Sequence, residues 1–342
     1  MVDNQLSEPS ASNQTATCPS GTALCANECR ALQVDPTNCG GCGAACAASG
    51  ACRSGVCVSP SPDPTPPPPP PPTVAANAVS LAVNAPSLVI SGTNFDPTAA
   101  GNVVTLRSGA VGGISSASAT SLTVLFSPPP SLGSLTAVVT TSGGSSGSPV
   151  QVASVVAAPA VTSSTSSLAQ NAPSIVIAGS GFDPTAAGNS VAFFPGGAQG
   201  TVSAATSTSL TVTFTAPPSG LGSLSAVVTS FQGSSGAAAQ VASIVAAPSV
   251  ALVSTNIGTN AATLDVTGSG FDPMAAGNSV VLSSGTVRSI SAPSATLLTV
   301  VFSSPPSPGV LAATVTSFDG SSGAAVQGEL FCLELFFSLF RE

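Results

Sequence analysis

The sequence predicts an all-β chain in which three tandem antiparallel β-sandwiches follow a small disulfide-rich module and a polyproline linker. Three observations predict this architecture: a segment of nearly 90 residues recurs three times, short stretches of alternating apolar and polar residues lie between Gly, Ser and Pro turns, and the helix formers Glu, Lys, Arg and Gln are scarce. Only 5% of the 342 residues are charged, whereas the chain has 34 Gly and 31 Pro. The predicted segments are a disordered N-terminus (1–17), a cysteine-rich module (18–58), a polyproline spacer (59–72), three repeats (73–156, 157–245 and an incomplete 246–327) and an aberrant apolar tail (328–342).

The cysteines define the first folded segment. Eight of the nine lie within forty residues, at Cys18, Cys25, Cys29, Cys39, Cys42, Cys46, Cys52 and Cys57. So short a segment cannot bury enough apolar surface to fold alone, and an even cysteine count indicates a disulfide framework formed in an oxidising compartment. We expect four disulfides, whose pairing the sequence leaves open. Each should stabilise the folded module by about 2–4 kcal/mol.

A zinc site is the alternative for these cysteines. Cys39 and Cys42 have the spacing of a thiolate knuckle, and Cys25 and Cys29 could supply two further ligands. A glycosylation sequon at Asn13 favours the disulfide framework and secretion, although residues 1–16 lack the charged and apolar regions of a signal peptide.

Within this module, Asp35–Gly43 reads Asp-Pro-Thr-Asn-Cys-Gly-Gly-Cys-Gly, and Ser-Gly-Val-Cys ends at Cys57. These motifs resemble the stigma-specific cysteine-rich extracellular proteins of plants. The resemblance covers residues 18–58 and implies a secreted module that contacts cell-wall or membrane components. A purely structural knob is the other interpretation.

The spacer contains alternating Ser-Pro followed by seven prolines, Pro66–Pro72, which predicts a polyproline II rod. Residues 60–72 would extend roughly 40 Å at about 3.1 Å per residue. The pattern resembles hydroxyproline-rich glycoproteins of plant and algal walls, which implies hydroxylation and glycosylation. An unmodified linker and an intracellular proline-domain ligand are the alternatives. We expect removal of the rod to change overall length without changing the melting of either flank.

The repeats share the motif Gly-x-Gly/Asn-Phe-Asp-Pro, which places Phe95, Phe182 and Phe271 as core anchors after a glycine turn. Strands are predicted at Leu122–Phe126 and its two equivalents, where the first, third and fifth residues would be buried. The fixed order of these motifs in three copies resembles the Ig-like IPT/TIG domains of plexins, some transcription factors and secreted adhesins. The resemblance implies Ig-like sandwiches.

Acidic residues recur at Asp96, Asp183 and Asp272, each followed by proline. They are weak calcium candidates, because one carboxylate and one amide (Asn102, Asn189 or Asn278) per repeat supply too few oxygen ligands. The preferred interpretation is that Asp-Pro opens a turn.

Composition excludes most chemistry. The chain has no His and no Lys, so a Ser-His or Cys-His pair, a helical His zinc site and a P-loop lysine are all impossible. Five scattered arginines and a net charge of −8 argue against nucleic-acid binding. The sequence contains no run of 18 apolar residues, so it predicts no membrane-spanning helix. We therefore predict no enzymatic activity, no cofactor and no metal.

Three functions fit these features. The first is an extracellular structural glycoprotein of a matrix, cell wall or surface filament, whose partners are other matrix or surface proteins or glycans. The second is an adhesin or receptor-type module that binds a glycan or protein through inter-strand loops such as Phe193–Gly197. The third is a non-catalytic appendage of a larger enzyme or receptor.

The end of the third repeat departs from its siblings. Gln151 and Gln240 precede Val-Ala-Ser-Val/Ile-Val, predicted to be the closing strand, whereas Gln327 precedes Gly-Glu-Leu-Phe-Cys. The abrupt change suggests a misjoined or frameshifted coding segment. It predicts that the third sandwich lacks its final strand and is the least stable.

Overall fold

The computed structural model describes residues 17–59, 66–251, 257–258, 260–291, 293–323 and 326–328. The chain divides into two compact units, Met1–Pro68 and Pro69–Glu342. Nearly all regular structure in the described residues is β, as predicted, and the helices there are three single 3-10 turns at Ala99–Gly101, Ala186–Gly188 and Ala275–Gly277.

The first unit contains two short antiparallel hairpins. They are formed by β1 (Ala23–Cys25) with β2 (Glu28–Arg30), and by β3 (Ala51–Arg53) with β4 (Val56–Val58). Each hairpin turns through two residues with positive φ, Ala26-Asn27 and Ser54-Gly55. Such turns match the right-handed twist of the paired strands.

The first repeat is a two-sheet sandwich. Its strands are β5 (Thr73–Val74), β6 (Ser80–Ala82), β7 (Ser87–Thr93), β8 (Val103–Leu106), β9 (Gly112–Ser118), β10 (Ser121–Phe126), β11 (Gly133–Thr141), β12 (Gly144–Ser145) and β13 (Val150–Val156). One sheet has the order β5-β7-β10-β9, and the other has the order β12-β11-β13-β6, with β8 also paired to β11. The single parallel pairing in this repeat joins β6 to the closing strand β13.

The second repeat has the same plan. Its strands are β14 (Ala160–Val161), β15 (Ser167–Ala169), β16 (Ser174–Ser180), β17 (Asn189–Phe194), β18 (Gln199–Ala205), β19 (Ser209–Ala216), β20 (Gly222–Ser230), β21 (Gly233–Ser234) and β22 (Ala239–Val245). The sheets are β14-β16-β19-β18 and β15-β22-β20-β17, with β21 paired to β20.

The third repeat has the first sheet intact, and four strands of its second sheet lie within the described residues. Its strands are β23 (Ser249–Val250), β24 (Thr263–Ser269), β25 (Asn278–Leu282), β26 (Thr286–Ser291), β27 (Leu297–Ser304), β28 (Leu311–Ser317), β29 (Gly320–Ser321) and β30 (Val326–Gly328). The first sheet is β23-β24-β27-β26, and the second is β25-β28-β29 with β30 paired to β28.

Alternation along the central strands builds each core. In β10, Leu122 and Val124 are fully buried while Thr123 is half-buried and Leu125 is exposed. The same pattern buries Leu210 and Val212 in β19. Period-two burial is what a strand with one core-facing side requires, so the predicted strands are confirmed.

Candidate functional site

The cysteine-rich module is fully cross-linked. The four disulfides are Cys18–Cys29, Cys25–Cys42, Cys39–Cys52 and Cys46–Cys57. The sulfurs of Cys39, Cys46 and Cys57 lie within 4.8 Å of one another, but each belongs to a disulfide. Zinc needs deprotonated thiolates, so this arrangement gives no zinc site.

An Asp-Pro turn organises the centre of this module. Asp35 Oδ1 accepts hydrogen bonds from the Thr37 hydroxyl at 2.6 Å and the Thr37 N–H at 2.9 Å, and Oδ2 accepts one from Asn38 Nδ2 at 2.9 Å. Asn38 Oδ1 in turn accepts the N–H of Gly43. The hydrogen bond from the Thr37 side chain, followed by that from Asn38, lowers the pKa of Asp35 to about 2. The motif thus fastens the loop between two disulfides.

The calcium candidates lie in a related turn. Asp96 Oδ1 accepts the N–H of Thr98 at 2.8 Å, and Asp183 and Asp272 accept the equivalent N–H groups of Thr185 and Met274 at the same distance. In each repeat the following asparagine bridges the turn: Asn102 Oδ1 accepts the Asp96 N–H, and Asn102 Nδ2 donates to the Asp96 and Thr98 carbonyls.

Calcium binds six to eight oxygens that converge on one point. The contacts of Asp96, Asp183 and Asp272 are internal to their turns, and each repeat contributes one carboxylate here. The arrangement is typical of a turn and gives no reason to place a cation.

The three anchor phenylalanines lie in the cores. Phe95, Phe182 and Phe271 are at most 3% exposed. A Cβ added to the first glycine of each motif would lie 2.3–2.4 Å from the Cζ of the following ring, and 2.0–2.2 Å from a carbonyl of the paired strand. The glycine therefore leaves room for the ring, a reason that the sequence pattern alone did not reveal.

Consecutive repeats are joined by a hydrogen-bonded contact that we call the repeat junction. In the first junction, the Ala82 N–H donates to the Phe231 carbonyl and Asn84 Nδ2 donates to the Ser234 carbonyl, both at 2.8 Å. In the second, Ala169 N–H donates to Phe318 O at 2.8 Å and Asn171 Nδ2 donates to Ser321 O at 2.6 Å. The two junctions therefore use the same atoms of equivalent residues.

Each junction seats a tight hairpin tip on a turn of the preceding repeat. Phe231-Gln232 and Phe318-Asp319 both have positive φ, as in two-residue hairpin turns. The glycine after each tip, Gly233 or Gly320, is buried, and a Cβ there would lie 2.2–2.3 Å from the Asn84 or Asn171 Oδ1. Sequence analysis missed the junction, although Asn84, Asn171 and Asn260 recur at one place in the repeat.

The linkers between repeats also pack against the repeats, each beside a glycine of the Gly-x-Gly/Asn-Phe-Asp-Pro motif. An added Cβ at Gly181 would lie 3.0 Å from the Ala158 carbonyl and 3.3 Å from Pro159 Cα. Gly270 meets the equivalent atoms of Ala247 and Pro248 at 3.0 and 3.1 Å. The third residue of the motif in these two repeats, a glycine with positive φ, thus lies against the linker.

The end of the proline run is part of the first repeat, which corrects the expectation of an independent rod up to residue 72. Pro72 is buried, and the Pro71 carbonyl accepts a hydrogen bond from Asn94 Nδ2 at 3.1 Å. A Cβ on Gly143 would lie 2.4 Å from the Pro70 carbonyl. The hairpin of repeat 1 therefore meets prolines where the later hairpins meet a preceding repeat.

The aromatic pair proposed as a binding loop divides between core and surface. Phe193 is buried in β17 and its ring centroid lies 5.5 Å from that of Phe214, whereas Phe194 is 47% exposed. A small cavity of about 120 Å³ lies beside it, lined in part by Pro195, Pro218 and Leu221. Of the predicted aromatic pair, Phe193 is therefore a core residue and Phe194 is exposed.

Two predicted features lie outside the residues that the structure describes. They are the glycosylation candidate Asn13 and the tail after Gly328. Among the helices that the structure does describe, none is long and apolar enough to cross a membrane.

Comparison with known proteins gives one family match and several similar folds. Residues 2–64 match the model of the Stigma-specific STIG1-like protein family. No curated protein matches the chain. The plexin A4 extracellular region is 9% identical with a TM-score of 0.34, covering 76% of this chain, which spans only 29% of the length of that plexin.

Two further solved structures are similar. The Escherichia coli adhesin FdeC is 14% identical with a TM-score of 0.26, covering 77% of this chain and 96% of the adhesin. An endo-fucoidan hydrolase of glycoside hydrolase family 107 is 12% identical with a TM-score of 0.25, covering 78% of this chain and 45% of the hydrolase. At these scores the likenesses indicate no function. The cysteine-rich module is thus the part of the chain that resembles a defined family.

Proposed function

We propose that this protein is an extracellular structural glycoprotein of a matrix, cell wall or surface filament, without enzymatic activity. Its repeats would act as spacers whose mutual arrangement is fixed, and its partners would be other matrix or surface proteins or glycans. The observation that carries this proposal is the repeat junction, because two successive pairs of sandwiches use the same two hydrogen bonds. A flexible string of domains needs no such repeated contact.

The chemistry of the surface supports a spacer. The described Asp96 and its equivalents hold turns, and the chain supplies neither His nor Lys for acid–base or covalent catalysis. Four disulfides in the first unit favour an oxidising compartment. Thiol labelling of the unreduced, denatured protein should therefore modify at most Cys332, and labelling within the module would contradict secretion.

The test of the spacer measures the mutual arrangement of repeats 1 and 3. Fluorophores attached through unnatural amino acids at the exposed positions Val89 and Val281 report their separation by single-molecule energy transfer. We expect one narrow distance distribution for the wild-type chain and a broad one for the Asn84→Ala/Asn171→Ala variant. Asn260→Ala is the matched control, because Asn260 occupies the same place in repeat 3 and makes no junction among the described residues. A broad wild-type distribution would contradict the spacer.

An adhesin or receptor-type module is the second candidate. It is favoured by the cavity in repeat 2, which is lined in part by Pro195 and by Leu221, itself 65% exposed. Phe194 precedes Pro195 in the chain and is 47% exposed. Exposed apolar groups around a concave site are typical of binding surfaces. Glycan-array binding that is lost in Phe194→Ser, and retained in Val103→Ser at another exposed apolar position, would favour this function over the spacer.

A further inference from the structure

The third repeat carries a copy of the turn that receives the hairpin in each repeat junction, and no hairpin among the described residues is hydrogen-bonded to it. In repeats 1 and 2 this turn is closed by hydrogen bonds from Ala85 N–H to Ala82 O and from Ala172 N–H to Ala169 O, each 2.9 Å long. Repeat 3 has the equivalent bond from Ala261 N–H to Gly258 O, also at 2.9 Å. The hydrogen bond that closes the receiving turn is therefore present in repeat 3 as well.

The donor group is also in place. Asn260 corresponds to Asn84 and Asn171, whose Nδ2 atoms donate to serine carbonyls across the junctions. Asn260 is exposed, and its amide has no hydrogen-bond partner among the described residues. Gly258 occupies the place of Ala82 and Ala169, so its N–H corresponds to the other junction donor.

We propose that Gly258 and Asn260 form a docking site for a β-hairpin of another Ig-like repeat, whose tip has two left-handed residues followed by Gly-Ser. The proposal rests on the spacer function and names its partner: a further sandwich that extends the series. Continuity with two existing junctions supports this occupant, since both use a tip of this type, Phe231–Ser234 or Phe318–Ser321.

A second copy of this chain fits the site less well. The hairpin tips of its second and third repeats already lie in junctions. In repeat 1, neither Ser142 nor Gly143 has positive φ, and Gly143 lies against Pro69 and Pro70. The partner is therefore an Ig-like repeat outside the described residues, with an uncovered hairpin tip.

The test uses the full chain and a backbone-cyclised peptide of the sequence Val227–Ser235, closed by a D-Pro-Gly turn. Titration into isotope-labelled protein is followed by NMR at the Gly258 amide and the Asn260 side-chain amide. We expect saturable shifts with a weak Kd, between about 0.1 and 1 mM, because a hairpin tip buries little surface. The matched control peptide carries Gly233→Ala, because in the first junction a Cβ there would lie 2.2 Å from Asn84 Oδ1 and 2.3 Å from Ala82 Cβ. Gly258 lacks the Cβ of Ala82, so in repeat 3 only the asparagine opposes this methyl group, and we expect the control peptide to bind more weakly than the Gly233 peptide.

Two variants of the chain test the donor. Asn260→Ala should weaken binding about three- to tenfold, as expected for one lost hydrogen bond. Asn260→Asp keeps the shape of the side chain but removes the N–H donor, so it should weaken binding at least as much even if the alanine variant misfolds. Thr263→Ala, on the neighbouring strand, should bind like wild type.

Three outcomes would overturn the docking site: absence of saturable shifts, equal binding of both peptides, or unchanged binding by Asn260→Asp. Concentration-dependent dimers of the wild-type chain in sedimentation would show that a second copy fills the site, against the occupant proposed. The energy-transfer experiment on repeats 1 and 3 is independent, so failure of the spacer and failure of the docking site are distinguishable.

Discussion

Repeats 2 and 3 have the same first sheet, the same Phe anchor and the same hairpin, but their sequences differ in the segment of the closing strand. In repeat 2, β22 runs over Ala239–Val245, buries Val241, Ala242 and Ile244, and pairs with β15. In repeat 3, β30 spans Val326–Gly328 and pairs with β28. The comparison separates the part of the sandwich that the two repeats share from the strand that closes it.

Sequence register explains the difference. Gln327 corresponds to Gln151 and Gln240, so Gly328, Glu329 and Phe331 stand where the siblings bury two β-branched residues and an alanine. Burying a carboxylate without a partner is costly, and glycine contributes no side chain to a core. The sequence of this segment therefore predicts a poor closing strand.

The largest expected effect comes from restoring the closing strand. Replacing Gly328–Cys332 by Val-Ala-Ser-Ile-Val should stabilise repeat 3 by about 3–5 kcal/mol, the scale of filling a core position left empty. Hydrogen exchange at Leu311–Ser317 measures this, because that strand pairs with β30. A Gly-Ser replacement of the same length is the control. If wild-type β28 already exchanges as slowly as β20 of repeat 2, the native tail completes the sheet and the prediction is wrong.

A smaller effect tests whether the first sheets of the two repeats are equivalent. Gly179→Ala and Gly268→Ala should each destabilise their own repeat by about 2–3 kcal/mol, because the new Cβ would overlap a carbonyl and the anchor ring. Site-resolved hydrogen exchange separates the two repeats. Gly196→Ala, where a Cβ would meet nothing within 4 Å, is the control. Clearly unequal losses would mean that the repeats differ in more than the closing strand.

The proline segment gives a third, smaller effect that is confined to repeat 1. Asn94→Ala removes the hydrogen bond to the Pro71 carbonyl and should lower the stability of repeat 1 by about 1 kcal/mol, leaving repeats 2 and 3 unchanged. Deleting Pro66–Pro72 should do the same or more, contrary to the expectation from sequence. Gly113→Ala is a control within the repeat. Unchanged hydrogen exchange of β7 after the deletion would restore the independent rod.

Periodicity and spacing predicted the strands and the disulfide framework because these depend on neighbours in sequence. The alternation Leu122, Val124 determines which side chains are buried, and eight clustered cysteines in a small module indicate cross-links. The junctions depend instead on atoms about 150 residues apart, such as Asn84 and Ser234. A single asparagine in a turn carries no sign of such a partner, so its role emerged only from the fold.

The sequence did not predict the burial of Pro72 either. A run of prolines predicts an extended backbone, but its carbonyls remain free to accept hydrogen bonds. Asn94, whose φ is positive, donates its side-chain amide to one of them, the Pro71 carbonyl. Composition identified the extended segment and could not identify what packs against its end.

The smallest effect concerns the Asp-Pro turn, where repeats 1 and 3 differ by one hydroxyl. The Thr98 side chain donates to Asp96 Oδ1 at 2.7 Å, and this hydrogen bond lowers the pKa of Asp96, whereas repeat 3 has Met274 at the equivalent place. A lowered pKa in the folded state means that the ionised carboxylate stabilises the fold above its usual pKa. That stabilisation is lost as pH falls through the lowered value.

Thr98→Met should raise the pKa of Asp96 part of the way back, since the main-chain N–H at position 98 remains a donor. Carbon-13 NMR of the carboxyl groups from about pH 6 down to about pH 1 measures the midpoint. Asp35, whose pKa is about 2, serves as an internal reference that should not move. An unchanged Asp96 midpoint would show that the hydroxyl contributes nothing to this turn and that the first and third repeats do not differ there.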